Sequence, residues 1–168
     1  MNKIGIFYGS TTGNTESIAN VIQEKIGSDL ADVYSVDSAS QEDVEKYDNL
    51  IFGASTWGIG DIQDDFQGFL DTLANANLDG KVVALYGLGD SSSYPDSFCG
   101  GLGELYETIS SSGCNIVGKV SKDDYDFDDS QALDGDEFVG LALDEDNESD
   151  KHDERISQWL DTIKESFK

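Results

Sequence analysis

Cations are scarce in this chain: ten Lys and Arg residues stand against 35 Asp and Glu, a formal net charge of −25 at pH 7. A surface of that sign repels phosphate backbones and anionic headgroups, which argues against nucleic acid and membranes as partners. Histidine occurs once and cysteine twice. Cys99 and Cys114 have no second Cys or His close by in sequence, so the four-ligand zinc spacings are missing and the thiols read as reduced fillers. There is no signal-like N-terminus and no apolar run near the length that crosses a bilayer, so the expected location is the cytoplasm. Excess acid can signal disorder, but 8 Phe, 7 Tyr and 2 Trp oppose that reading. A length of 168 residues suits one domain, 1–168, built on one core.

Apolar runs and helical periodicities alternate along the chain. Lys3 to Tyr8 reads as a strand and is followed at once by a polar turn. From Thr15 the spacing becomes helical, with Ile18, Val21, Ile22 and Ile26 on one face. The alternation repeats: strand Leu30 to Val36, short helix Gln41 to Lys46, strand Leu50 to Ala54, a helix within Ile62 to Leu73, strand Val82 to Tyr86, and a helix from Ser97 to Ser111. Strand Asn115 to Val120, apolar Phe138 to Leu143 and a final helix near Asp150 to Phe167 complete five βα units. Strands apolar on both faces, alternating with amphipathic helices, imply a doubly wound α/β fold around a parallel sheet. Ser121 to Glu137 breaks this rhythm as an acidic insertion between two halves of the last strand. Asp126, Asp128, Ser130 and Glu137 fit positions of a calcium loop, but Gln131 stands where the turn demands glycine. A solvated acidic loop is the expectation.

Ligands of open parallel sheets bind at the carboxyl ends of the strands, where strand order reverses. Three loops leave that edge. Ser10-Thr11-Thr12-Gly13-Asn14-Thr15 precedes a helix and offers hydroxyls, backbone N–H groups and the positive dipole end to a phosphate. It holds no Lys or Arg, so it suits a phosphate monoester rather than a nucleoside triphosphate. An N-capped helix after a tight turn explains the same residues without a ligand. Ser55-Thr56-Trp57-Gly58-Ile59-Gly60 places a tryptophan at a strand end, where it is either buried or set at the rim. Gly87-Leu88-Gly89-Asp90, with Tyr94 beyond, adds a second aromatic to that rim. Together the loops suit a flat aromatic ligand carrying one phosphate.

These residues, Ser10 to Thr15, Thr56-Trp57-Gly58-Ile59-Gly60 and Gly89-Asp90 with Tyr94, resemble the phosphate loop and the two isoalloxazine loops of flavodoxins. The likeness spans the whole chain, and the interrupted last strand resembles the long-chain type. It implies a flavodoxin-like five-stranded parallel sheet of order 2-1-3-4-5, a standard instance of the switch-point rule. It implies FMN as cofactor. Ser10, Thr11, Thr12, Gly13, Asn14 and Thr15 would hold the phosphate, while Trp57 and Tyr94 would cover the flavin. Ser55, Thr56, Gly58, Ile59, Gly60, Leu88, Gly89, Asp90, Phe98 and Cys99 would meet the ring, and Asp146 the ribityl chain.

The function implied is low-potential one-electron transfer between redox enzymes, not catalysis, because the flavin carries the electron and the protein sets its energetics. A carboxylate about 10 Å from an added negative charge opposes it by roughly 0.4 kcal/mol in a water-like dielectric, which favours a low potential. The expected partners are basic-faced redox enzymes, such as a flavodoxin reductase and low-potential oxidoreductases, met by a monomer whose Asp61, Asp64 and Asp65 help to steer association. The alternative is a dedicated FMN-binding module that activates one enzyme. A receiver domain would need acidic residues where Gly9-Ser10 and Ser55-Thr56 stand. A low-molecular-weight phosphatase would need an arginine six residues after its cysteine, where Leu105 follows Cys99. His152 reads as a solvated surface group.

Overall fold

The computed structural model describes residues 1–9, 13–57 and 61–168, with positions 57 and 61 by backbone alone. Its main strands are β1 (Ile4–Gly9), β2 (Ala31–Ser35), β3 (Asn49–Trp57) and β5 (Val82–Gly89), with the short β4 (Asp61–Ile62) folded back on β3. The last strand comes in two pieces, β6 (Asn115–Val117) and β10 (Leu141–Asp144). Both pair parallel with β5, β6 along Val82 to Ala84 and β10 along Tyr86 to Gly89. Counting the two pieces as one strand, the order is second, first, third, fourth, fifth.

Alternation along each strand builds two apolar layers, because successive side chains leave opposite faces of a sheet. Ile4, Ile6, Ile51, Ala84 and Tyr86 share one layer with Ile18 and Ile22 of α1 (Asn14–Ile26) and Ile156, Trp159 and Ile163 of α5 (His152–Lys164). Phe7, Phe52, Val83 and Leu85 face the other. There they meet Val44 of α2 (Gln41–Glu45), Phe66 and Leu73 of α3 (Asp64–Asn75) and Leu102 and Leu105 of α4 (Gly100–Ile109). No helix among the described residues is long and apolar enough to cross a membrane. Both cysteines are free, Cys99 buried and Cys114 half-buried.

The insertion differs from the solvated loop expected. It runs from the end of β6 to the start of β10 and forms its own antiparallel sheet from β7 (Val120–Ser121), β8 (Leu133–Asp134) and β9 (Glu137–Phe138), ordered β7-β9-β8. Phe138 and Ala132 are fully buried, and Tyr125, Phe127 and Leu133 pack on the main core. The physical reason is alternation at short range. Asp124, Asp126 and Asp128 face solvent while Tyr125 and Phe127 between them turn inward. The helix expected from Ser97 begins only at Gly100, because Cys99 takes a left-handed conformation with φ of 53°.

Candidate functional site

At β1 the sheet switches direction, with β2 on one side and β3 on the other. A cleft of about 240 Å³ opens at the carboxyl ends of the strands. Asn14 reaches it from α1, Ser55 and Thr56 from β3, Leu88, Gly89, Asp90 and Tyr94 from the end of β5 and the loop beyond, and Glu145 and Asp146 from the turn after β10. None of these described residues is cationic.

The α1 edge is fixed from below. Gly13 takes φ of +90°, and its carbonyl accepts from the Ser17 N–H and hydroxyl, both at 3.0 Å. Thr15 is fully buried and its hydroxyl bonds that of Ser55. Its carbonyl accepts the Tyr86 hydroxyl at 3.0 Å. Tyr86 reaches that far because position 53 is glycine: a Cβ there would lie 1.9 Å from the ring carbon bearing the hydroxyl. Burial raises the Tyr86 phenol well above its ordinary value, with nearby Tyr8 adding to the rise, so it stays a neutral donor.

The second edge is braced against α4. The Thr56 hydroxyl oxygen accepts from the Gly101 N–H at 3.0 Å, and the Gln63 N–H donates to the Ser55 carbonyl at 3.0 Å. The pairing of Trp57 with Asp61 closes the base of the turn between β3 and β4.

Carboxylates stitch the third edge. Asp144 is buried, and its Oδ1 accepts from the Ser91 N–H at 3.2 Å and Asn147 Nδ2 at 2.8 Å, while its Oδ2 accepts the Ser91 hydroxyl. Asp90 Oδ1 accepts from the Ser92 and Ser93 N–H groups at 3.2 and 3.1 Å and from Asn147 Nδ2 at 2.9 Å. Burial pushes the Asp90 carboxyl up, but these donors outweigh it and hold the group below the usual carboxylate range. Asp146 lacks such donors in this network; burial first, then the neighbouring Asp90, Glu145 and Asp144, raise its carboxyl. Behind this edge stands the insertion. The Asp128 and Asp129 N–H groups donate to the Pro95 carbonyl at 2.9 and 3.0 Å, and the Phe98 N–H to the Asp129 carbonyl at 3.3 Å.

Of the residues predicted from sequence, Asn14, Ser55, Thr56, Leu88, Gly89, Asp90, Tyr94 and Asp146 meet at the cleft. Gly13 and Thr15 sit just beneath it. Ser10, Thr11, Thr12, Gly58, Ile59 and Gly60 lie outside the described residues, and Trp57 is placed by its backbone only. Phe98 turns its ring away into the core, where it packs on Tyr125, Phe127 and Phe138 at 6.2, 5.5 and 5.9 Å between centroids. Cys99 is buried beside Gly89, where burial raises its thiol and nearby Asp144 adds to the effect, leaving it inert as a nucleophile. His152 is not the solvated group expected: its ring is 12% exposed and Nε2 lies 2.5 Å from Glu145 Oε2. Sequence reading passed over Asp144, Ser91 and Asn147. An Asp three residues before an Asn at a strand end is a turn signal that could have flagged two of them.

The sheet order and an uncharged-to-acidic cleft at its switch point define an α/β protein of flavodoxin-like architecture. The comparisons with known proteins agree. The family model described as Flavodoxin matches residues 6–159. A flavodoxin of Nostoc sp. is 46% identical over 165 residues, covering 98% of this chain and 97% of its own. Flavodoxin 1 of Escherichia coli K12 is 44% identical over 164 residues, covering 97% and 93%. Among solved structures, a flavodoxin of Fusobacterium nucleatum bound to flavin mononucleotide superposes with a TM-score of 0.95 at 34% identity, covering 100% of both chains. The chain belongs to the flavodoxin family.

Proposed function

We infer that this chain, acting over 1–168 as one domain, carries single electrons between redox proteins on non-covalently bound FMN. The observation that carries the reading is the cleft itself: a helix N-terminus, an exposed tyrosine and hydrogen-bonded loops converge at the switch point with no cationic side chain among the described lining residues. That donor set fits a phosphate monoester held by N–H and hydroxyl groups, and a flat ring covered by aromatics. FMN bound there supplies the redox chemistry.

The residues of the chain bind, orient and bias. Ser10 to Thr15 hold the phosphate at the start of α1, with Gly13 supplying the backbone turn that exposes N–H groups. Trp57 and Tyr94 enclose the ring, Tyr94 from an exposed position on the rim. Ser55, Thr56, Gly58, Ile59, Gly60, Leu88, Gly89 and Asp90 meet its polar edge, and the backbone at Phe98 and Cys99 supports the Asp90 side of the cleft. Asp146 faces the ribityl chain. Asp90, Glu145 and Asp146 surround the site with negative charge and disfavour adding more, which lowers the potential.

The partners are redox proteins with basic faces, a reading supported by the charge of −25 and by Asp64 and Asp65 exposed at the start of α3. The same charge repels a second copy and favours a monomer, and nothing in it favours nucleic acid or a membrane, in keeping with a cytoplasmic carrier. The test is stopped-flow electron transfer from the reduced, FMN-loaded protein to a basic haem protein at increasing ionic strength. The rate should fall steeply with salt and fall again in Asp64→Asn/Asp65→Asn. A rate indifferent to both would refute steering, and the absence of any transfer would refute the carrier.

A further inference from the structure

A second cleft, of about 300 Å³, opens between the insertion and α5 and shares no lining residue with the first. One wall is apolar, made by Val120, Leu141 and Trp159, whose indole N–H is already given to the Gly118 carbonyl at 3.0 Å. The other carries Arg155, the only arginine in the chain and 93% buried at 7% exposure. Its guanidinium carbon lies 4.0 Å above the centre of the Tyr125 ring. Its Nη2 donates to the Asp124 carbonyl at 3.1 Å and to Glu148 Oε1 at 3.2 Å, with Asp124 Oδ2 at 3.5 Å. Its Nε and Nη1 are buried and have no hydrogen-bond partner among the described residues.

A guanidinium stays charged and carries donors only, so buried N–H groups without acceptors are costly and ask for an oxygen. In so acidic a protein, a buried arginine lining an open cleft with donors unspent is a site rather than a filler. The neighbours set its selectivity. Glu148 and Asp124 already flank the guanidinium, so a dianion meets two carboxylates at short range while a monoanion meets one further repulsion the cation can offset. The apolar wall adds a contact for a hydrocarbon body that water or an inorganic ion cannot use. We propose that the cleft between the insertion and α5 binds a small organic monocarboxylate, its oxygens accepting from Arg155 and its apolar body lying along Val120, Leu141 and Trp159.

The probe is benzoate, titrated into the FMN-loaded protein and followed by the NMR signals of the Arg155 Nε–H and the Trp159 indole N–H. Both signals should shift together and saturate in about the millimolar range, where a single small contact set is expected to fall. Sulfate should leave them in place. Arg155→Lys keeps a cation but removes the guanidinium donors, and should weaken benzoate binding about tenfold or more. Should that variant fail to fold, Thr162→Phe decides: Thr162 is exposed on α5 at the cleft, and a phenyl group there should occlude it and abolish saturation. Shifts that never saturate, a response to sulfate equal to that to benzoate, or binding unchanged in the folded variants would overturn the proposal.

Discussion

Two stretches of the chain are equally acidic and behave in opposite ways. In the insertion, the carboxylates of residues 123–136 face solvent and make isolated ion pairs such as Lys119 to Asp134 at 2.6 Å and Lys122 to Asp136 at 3.7 Å. Aromatic rings hold that segment in place, with Tyr125 and Phe138 at 4.9 Å and Phe98 beneath them. After β10, in residues 144–150, the carboxylates are themselves the fasteners: Asp144 binds the Ser91 loop, Glu145 the His152 ring, and Glu148 both Lys151 and Arg155. An aspartate displayed to water contributes charge. One surrounded by N–H and O–H donors builds a loop, and here that loop is a wall of the cleft.

The sharpest way to break the first half of the comparison is Phe98→Ala. It removes the ring on which Tyr125, Phe127 and Phe138 converge and should cost about 3–5 kcal/mol in urea unfolding. The insertion sheet should loosen with it, seen as faster amide exchange at Val120 and Phe138. A loss under about 1 kcal/mol would mean that the insertion is not anchored by its rings. For the second half, Asp144→Ala leaves the Ser91 N–H and hydroxyl and the Asn147 amide without their shared acceptor and should cost about 2 kcal/mol. Because those groups set the Asp90 edge, FMN affinity should fall as well. Stability lost with affinity intact would detach Asp144 from the site.

Asp90 and Asp146 sharpen the contrast through pH. The folded state holds Asp90 below its ordinary value, so its contribution is present above the unfolded value and lost as pH falls through the folded one. Asp146 is raised, so its neutral form is the stabilising one, and that contribution is lost as pH rises through the raised value. Asp90→Asn should therefore lose about 1 kcal/mol at neutral pH, a deficit that shrinks on acidification. Asp146→Asn should gain about 0.5 kcal/mol at neutral pH, a gain that also shrinks on acidification. Urea midpoints across the acid range check both, and equal signs for the two variants at neutral pH would contradict the assignment. The smallest effect belongs to the displayed acids: Asp134→Asn removes the Lys119 ion pair, both partners more than a third exposed, and should change stability by less than about 0.5 kcal/mol.

The sheet was legible because β1, β3 and β5 are apolar on both faces, and α1 and α5 because Ile18 with Ile22 and Ile156 with Ile163 recur at helical spacing. The three cleft loops were legible because glycine, hydroxyl and aromatic residues follow those strands. The insertion was not, since its strands are two residues long and too short for any period to show. Nor was the Asp144 network, whose partner Ser91 lies 53 positions away. His152 looked solvated because its partner Glu145 stands seven residues earlier across a turn and a helix start. Among carboxylates in so acidic a chain, only tertiary partners separate a fastener from a solvated charge.

The central claim is that one FMN occupies the cleft at the switch point. Its most direct test is titration of the apoprotein with FMN, and in parallel with riboflavin, following backbone amide signals by NMR. The account predicts saturation at one FMN per chain, with shifts at Asn14, Ser55, Gly89, Asp90, Tyr94 and Asp146 moving together and with weaker binding of riboflavin, which lacks the phosphate. Failure to bind, or shifts gathered elsewhere while those residues stay still, would contradict it.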